Sequence, residues 1–305
     1  AYPALLTRAA PSDPRAPSSP LSTPVSIVIP NRDSPALIAR CLHGVFEMTQ
    51  AAALDVIVVD NGSEDAETLA VYRRYEERPD FRVLFDPAPF NFSAMVNAGV
   101  AAAKFERLLL LNNDIEVVEP HWLSEMNAVL DADHAEIVGG KLLFPDRTIQ
   151  HAGVIVGHGG VAGHDFKGAP EDADDPLGRM RLPHSRSAVT AAAMLTRKTV
   201  WSALSGFDER AFPVAFNDVD FCLRARERGY GVAMAPAAVL IHHEGQSRRR
   251  GLSISRFIRH KRERATLRAR HGTVGMIDPF ENPWRDHEAL IPEWRAPKGP
   301  LRLRY

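Results

Sequence analysis

The sequence has only two cysteines in 305 residues, Cys41 and Cys222. They lie far apart, each inside a stretch that reads as a helix, which excludes a disulfide framework and a thiolate metal site and fits a reducing compartment. Both read as small buried apolar residues. Long hydrophobic runs are missing too, and none approaches the ~20 residues that a membrane span needs. Nor is there an excess of one charge: 37 Lys and Arg stand against 38 Asp and Glu, so no whole-molecule field gathers nucleic acid or anionic membrane. The first residues, "AYPALLTRAAPSDPRAPSSPLSTP", lack a charged segment followed by a continuous apolar one and do not read as a signal peptide. Their Pro, Ser and Ala bias reads as a flexible arm or linker over 1–23, and a chain opening on Ala reads as a piece of something longer. There is no internal repeat.

What is present, 45% hydrophobic and 25% charged residues, suits one large α/β domain or two small ones. From Val25 short β-branched runs alternate with amphipathic stretches. "VSIVIP" reads as a buried strand, and "SPALIARCLHGVFEM" as a helix with Ser34 as N-cap, Pro35 at its first position and Leu37, Ile38, Cys41, Leu42 and Val45 on one face. "LDVIVVDNGS", "FRVLFD" and "RLLLLN" read as three more strands, with "EDAETLAVYRRYEE" and "FSAMVNAGVAAAK", capped by Ser93, as helices between them. Strands without polar alternation, separated by helical periods, predict a parallel sheet covered on both faces. Ligands of such sheets collect at the carboxyl ends of the strands. That rim would carry Pro30, Asn31, Arg32 and Asp33, then Asp60 to Ser63, then Asn91, then Asn112, Asn113 and Asp114.

After a helix opened by Pro120 the pattern becomes mixed. "EIVGGKLLF", "TIQHAGVIVG" and "SAVTAAAMLT" are strand-like, "NDVDFCLRARERGY" is helical, and "GVAMAPAAVLIHHEG" reads as two short strands. Between them "GHGGVAGHDFKGAPEDADDPLG" reads as a long Gly- and Asp-rich loop of functional or mobile character. Gly157, Gly159 and Ala162 have the spacing of a dinucleotide-binding turn, but "HDFKGAPEDADDP" follows, and that cannot supply the helix such a turn must open.

Three polar centres could carry chemistry. Asp114 is either a turn former or, with Asn112 two residues before it on an extended piece, one of two same-facing oxygen ligands for magnesium or manganese. Asp218 and Asp220 open a helix, where acids complement the macrodipole or serve a site. His242 and His243 end a strand, as an exposed edge or as an imidazole ligand.

In order and spacing, "VSIVIPNRDS", "DVIVVDNGSED", "NFSAMVNAGVAAA", "LLLLNNDIEV", "GGKLLFPDRTIQHAGV" and "GFDERAFPVAFNDVDFCLRARERGYGVAMAPAAVLIHHEGQSRRRG" together resemble the family 2 glycosyltransferases of the GT-A fold. More narrowly the chain is similar to the bacterial branch that builds O-antigen, capsule and rhamnan-type polysaccharides. The resemblance implies an α/β GT-A domain over 24–250: a mostly parallel nucleotide-sugar half, 24–118, flanked by helices and continuous with a smaller mixed acceptor half, 119–250. It implies an inverting, metal-dependent hexosyltransferase that moves a sugar from a nucleotide-diphosphate donor, dTDP-rhamnose or a UDP-sugar, to a hydroxyl of a growing surface glycan. By this resemblance Asp60 accepts from the donor's pyrimidine; Pro30, Asn31 and Asp33 line the nucleotide; and Asn97 faces the donor. Asn112-Asn113-Asp114 stands where the family has Asp-x-Asp, so Asp114 contacts a divalent Mn or Mg ion with only one carboxylate present. His242, with His243 as the register alternative, joins the metal, Asp218 is the catalytic base, and Arg248, Arg249 and Arg250 close over the diphosphate. The acceptor would be a glycan or lipid-linked glycan at the cytoplasmic face of the plasma membrane. Nucleic acid is not an expected partner, and the other domains of a longer glycosyltransferase chain are. The basic tail, 251–305, reads as a helix packed on the domain or as a cationic surface for a lipid diphosphate. Two other readings are a catalytically silent module that binds glycan or a partner, and a sugar nucleotidyltransferase, for which "IPNRDSPAL" lacks the Gly-rich basic signature.

Overall fold

The apolar runs of the first half form four strands: β1 (Val25–Asn31), β2 (Leu54–Asp60), β3 (Phe81–Phe85) and β4 (Arg107–Leu111). They pair in parallel in the order β3-β2-β1-β4. The structure is a computed structural model that describes residues 23–51, 53–132, 135–244, 254–281 and 290–291. Helices α1 (Pro35–His43), α2 (Ala66–Arg73) and α3 (Phe92–Ala102) connect these strands. Every residue of β1 and β4 is buried, as strands covered on both faces must be. Ile27 and Ile29 face one apolar cluster with α1, while Val28 faces a second with α3. Cys41 lies in the first cluster and Cys222 in the second, on opposite faces of the sheet. Burial pushes the Cys222 thiol up to about 12.

Beyond β4 come β5 (Ile115–Val117), α4 (Trp122–Asp131), β6 (Ile137–Leu143), β7 (Ile149–His151), and the hairpin β8 (Val154–Val156) and β9 (Ala162–His164). Then follow β10 (His184–Ser185), β11 (Ala193–Arg197), α5 (Lys198–Ala203), α6 (Asn217–Glu227), β12 (Val232–His242) and α7 (Ile254–His271). Antiparallel β11 bridges β4 to β6, and β6 pairs in parallel with β12, so the mixed part continues the parallel half in a single sheet.

Several local expectations need correction. The cap of α3 is Asn91, whose side chain accepts from Ala94 N at 3.0 Å; Ser93 is buried and donates to Phe212 O at 2.5 Å instead. Ser34 stands at the N-cap of α1, but its hydroxyl donates back to Arg32 O. Helix α4 begins at Trp122 rather than Pro120. The two short strands expected near the end are one, β12, whose pairing slips between Ala235 and Val239. Pro236 has no N–H to give a ladder there, which is what made one strand read as two. The Gly157 turn leads through a short 3-10 turn into β9, not into a helix.

Candidate functional site

The strand-end residues form a hydrogen-bonded rim. Asp60, fully buried, accepts from Ser63 N (2.7 Å), Ser63 Oγ (2.5 Å) and the Tyr72 hydroxyl (2.5 Å). Burial first, then Asp60, pushes the Tyr72 hydroxyl well above its ordinary value, so it stays protonated and can donate. Asn31 donates to Tyr72 at 2.6 Å and accepts from Asn113 Nδ2 at 2.5 Å. The chain Asp60–Tyr72–Asn31–Asn113 thus ties the ends of β2, β1 and β4 together. Pro30 pairs with Val59 just inside this rim. Asp33, at a φ of 37°, accepts from Glu64 N (2.8 Å) and Asp65 N (3.0 Å), so the first two loops brace each other.

Asn112, Asn113 and Asp114 form a tight turn between β4 and β5, with Ile115 N donating to Asn112 O at 3.3 Å. The extended geometry expected for Asn112 and Asp114 is therefore not what brings the candidate donor atoms together. The neighbouring strand does that. Antiparallel pairing of β5 with β12 sets His242 opposite Ile115 and puts its Nε2 3.1 Å from Asp114 Oδ1. His243 turns the other way, to Glu116 at 2.6 Å. Asn112 Oδ1 and His242 Nδ1 are buried without a hydrogen-bond partner among the described residues. One carboxylate and one imidazole are a donor set that a divalent ion accepts. Among the described residues no three His, Cys, Asp or Glu side chains group to hold a metal. The pair therefore fits an ion that shares its shell with substrate oxygens, and does not make a closed structural site.

Asp218 is half-buried in the first turn of α6. Its Oδ2 accepts from Ala191 N (3.1 Å) and its Oδ1 from Val219 N (2.8 Å). Burial raises its pKa, and these N–H groups and Thr190 only partly offset that. The next residue of the same segment, Ala192, accepts from Asn112 N at 3.0 Å. Residues 191 and 192 therefore fasten Asp218 and the Asn112–Asp114 turn to one piece of backbone. Asp220 serves elsewhere: it is fully buried and accepts from Arg224 (2.8 Å), Arg270 (2.9 Å) and His271 (2.9 Å).

Against known proteins, the model of the family described as "Glycosyltransferase like family 2" matches residues 23–266. The chain belongs to this family. It is 40% identical over 260 residues to the uncharacterized protein y4gI of Sinorhizobium fredii, covering 85% of this chain and 29% of that one. It is 38% identical over 226 residues to the O-antigen biosynthesis protein RfbC of Myxococcus xanthus, covering 74% and 18%. The chain thus spans less than a third of either relative's length. Among solved structures, the mannosyltransferase PcManGT from Pyrobaculum calidifontis in complex with GDP-Man and Mn2+ superimposes with a TM-score of 0.60 at 17% identity, covering 87% of this chain and 68% of that one. GalNAc-T7 with UDP, GalNAc and Mn2+ gives 0.60 at 15%, covering 75% and 45%. These likenesses show the GT-A fold.

Within this member of the family, Asn97 holds a loop: its Nδ2 donates to Phe207 O (2.9 Å) and Glu209 (2.7 Å), and its Oδ1 accepts from Phe207 N (3.0 Å). A Cβ on Gly206, at a φ of 63°, would lie 2.5 Å from that Oδ1, so only glycine lets the loop come so close. Arg248, Arg249 and Arg250 lie outside the described residues, as does the arm 1–22. Sequence reading missed Tyr72, whose only signal was a hydroxyl on the buried face of α2. It also missed His151, fully buried, and His164, with their Nδ1 atoms 2.8 Å apart. His151 Nε2 lies 3.4 Å from Thr190 N, beside the segment that holds Asp218. Burial keeps both imidazoles neutral, lowering His164 to about 4. No helix among the described residues is long and apolar enough to cross a membrane.

Proposed function

We propose that the protein is an inverting glycosyltransferase that moves a sugar from a nucleotide-diphosphate donor, dTDP-rhamnose or a UDP-sugar, to a hydroxyl of a growing bacterial surface glycan. The observation that carries this reading is the shared backbone at 191–192, which holds Asp218 on one side and, on the other, the turn whose Asp114 meets His242 at 3.1 Å. A general base must sit close to the point where the leaving diphosphate is bound, and one rigid segment carrying both supplies that proximity. Asp218 takes the acceptor hydroxyl's proton; its raised pKa makes it a stronger base than an exposed carboxylate. A single displacement at the anomeric carbon inverts configuration, so no enzyme nucleophile is needed. Asp114 and His242 would hold a Mn or Mg ion, which supplies charge neutralisation for the departing diphosphate.

The nucleotide lies along Pro30, Asn31, Asp33 and Asp60 in this reading. A carboxylate offers about four lone-pair positions. Asp60 already accepts three hydrogen bonds, which leaves one position for a base N–H. Asn113 and Asn112 contact the sugar or ribose, and Asn97 acts through the loop it holds. His242 is preferred to His243 because the latter is turned to Glu116. The exposed cations Arg256, Lys261 and Arg262 around the exposed Phe257 of α7 support a lipid-linked acceptor at the inner face of the plasma membrane.

The test is diphosphate release from a panel of UDP-, GDP- and dTDP-sugars with Mn2+, with and without glycan acceptors. Asp218→Asn is expected to lose transfer by about a thousandfold while still binding the nucleotide diphosphate. Full activity in that variant sinks the mechanism. A wild-type chain that binds glycan but turns over no donor would make it a silent binding module, a reading that the single carboxylate of Asn112-Asn113-Asp114 favours.

A further inference from the structure

Helix α7 lies beyond 24–250, the span that the motifs assign to the transferase domain, yet it grips the loop that leads into Asp218. Between Ile254 and His271 the helix carries seven Lys or Arg residues and one acid, Glu263. That acid is turned inward, with 2% of its surface exposed. Its Oε1 accepts from Val214 N at 2.8 Å and from Ala215 N at 3.0 Å. Burying a carboxylate is costly unless hydrogen bonds replace its water, and here two backbone N–H groups of an irregular loop do so. The next residue, Phe216, takes a left-handed φ of 62°, which a bulky residue adopts only when its surroundings impose it. Its ring packs 5.5 Å from the imidazole of His260, just before Glu263 on α7. Asn217 and Asp218 follow at once. On the far side of Asp218, Arg270 and His271 of α7 both bond to the buried Asp220. The base is thus bracketed: α7 holds the chain before it through Glu263 and after it through Asp220.

We propose that Glu263 is a positioning residue for sugar transfer, fixing the 214–217 loop so that Asp218 meets the acceptor hydroxyl in line. This rests on the reading of Asp218 as the base. Glu263 touches no substrate. It acts only through the angle at which α6 begins. Loss of its two hydrogen bonds would let the loop relax from its left-handed turn and swing the Asp218 carboxylate, while the Asp114–His242 side of the site keeps its own supports.

The experiment uses the full 305-residue chain with Mn2+ and whichever sugar of a UDP-, GDP- and dTDP-sugar panel gives acceptor-dependent diphosphate release. Glu263→Ala is expected to lower kcat by about ten- to a hundredfold. The KM for the donor should stay within about twofold, because ground-state donor binding is untouched. Glu263→Gln, whose amide oxygen can accept the same two N–H groups, should recover most of kcat. A merely structural role would move donor KM and folded fraction together and would show no rescue by Gln; that result overturns the proposal, as does wild-type kcat in Glu263→Ala. Should the alanine variant fail to fold, Glu263→Asp, one methylene shorter, should show the same loss confined to kcat, and wild-type kcat there is equally fatal. Asp218→Asn is measured in parallel. If it is fully active, the reading of the base fails; if it is inactive while Glu263→Ala is unimpaired, only the role of Glu263 fails.

Discussion

The parallel half, β1 to β4, and the layer of loops from β7 to β10 both have buried centres, but opposite chemistry holds them. The first is built from Val, Ile and Leu side chains on two faces of a sheet. The second has a small apolar cluster around Phe166 and Ile149, and beside it a buried ionic knot. There Arg186, 1% exposed, donates to Asp165 at 2.6 Å and to Glu281 at 2.9 Å, and Arg179 bonds to Asp175 at 3.0 Å. Asp278 accepts from Ser187 Oγ and Val156 N, both at 2.8 Å, so the chain after α7 is sewn to the same layer. Apolar burial is non-directional and tolerates small shifts. A buried ion pair demands its geometry and punishes the loss of one partner. A layer that must hold a shape with strands of only two or three residues gains definition from such a knot.

The largest effect should come from cutting it. Arg186→Met removes the close ion pairs of Asp165 and Glu281, whose contacts to Arg179 are longer at 3.4 and 3.5 Å, and should cost about 3–5 kcal/mol of stability by urea unfolding. Hydrogen exchange should rise in 149–187 first and leave β1 and β4 protected; uniform loosening would mean that the two regions are not held separately.

Acid should act next. Burial alone would push Asp220 up, but bonds from His271 and Arg224, with Arg270, carry its carboxyl below the ordinary value. A carboxyl lowered in the folded state stabilises above its unfolded pKa of about 4, and that contribution is lost as pH falls through the lower folded value. Below about pH 4 the contacts of α7 with α6 should therefore weaken ahead of the parallel half. Asp220→Asn should flatten this dependence in thermal unfolding measured against pH; an unchanged profile would remove Asp220 as the cause.

The smallest effect belongs to the parallel half. Asn91→Ala removes the cap of α3 and should cost about 1 kcal/mol, with exchange rising only at that helix start. A loss as large as that of Arg186→Met would erase the contrast.

The same contrast explains what could be read in advance. Uninterrupted apolar runs announced β1, β2, β3 and β4, and the polar residues that follow them do lie at their carboxyl ends. The cap of α3 was misplaced by two residues because Asn91 and Ser93 are both good caps, and only the packing of Ser93 against Phe212 decides between them. The strand pair read at 231–245 became one strand because β6 supplies a partner on both sides of Pro236. Tyr72 showed only a hydroxyl on the buried face of α2, and His151, His164 and Glu263 had no local signature at all.

From its residues alone, this chain determined the order of strands and helices, the parallel half and the polar rim, because side-chain period and turn chemistry act over a few neighbouring residues. Tertiary structure alone decided which histidine faces Asp114, which backbone segment joins Asp218 to the Asn112–Asp114 turn, and how α7 holds the loop before Asp218. Each of those is a contact between groups far apart in sequence, from 27 positions for Ala191 and Asp218 to 128 for Asp114 and His242. Hydrogen bonds reach about 3 Å, so such pairs exist only once packing has fixed both backbones.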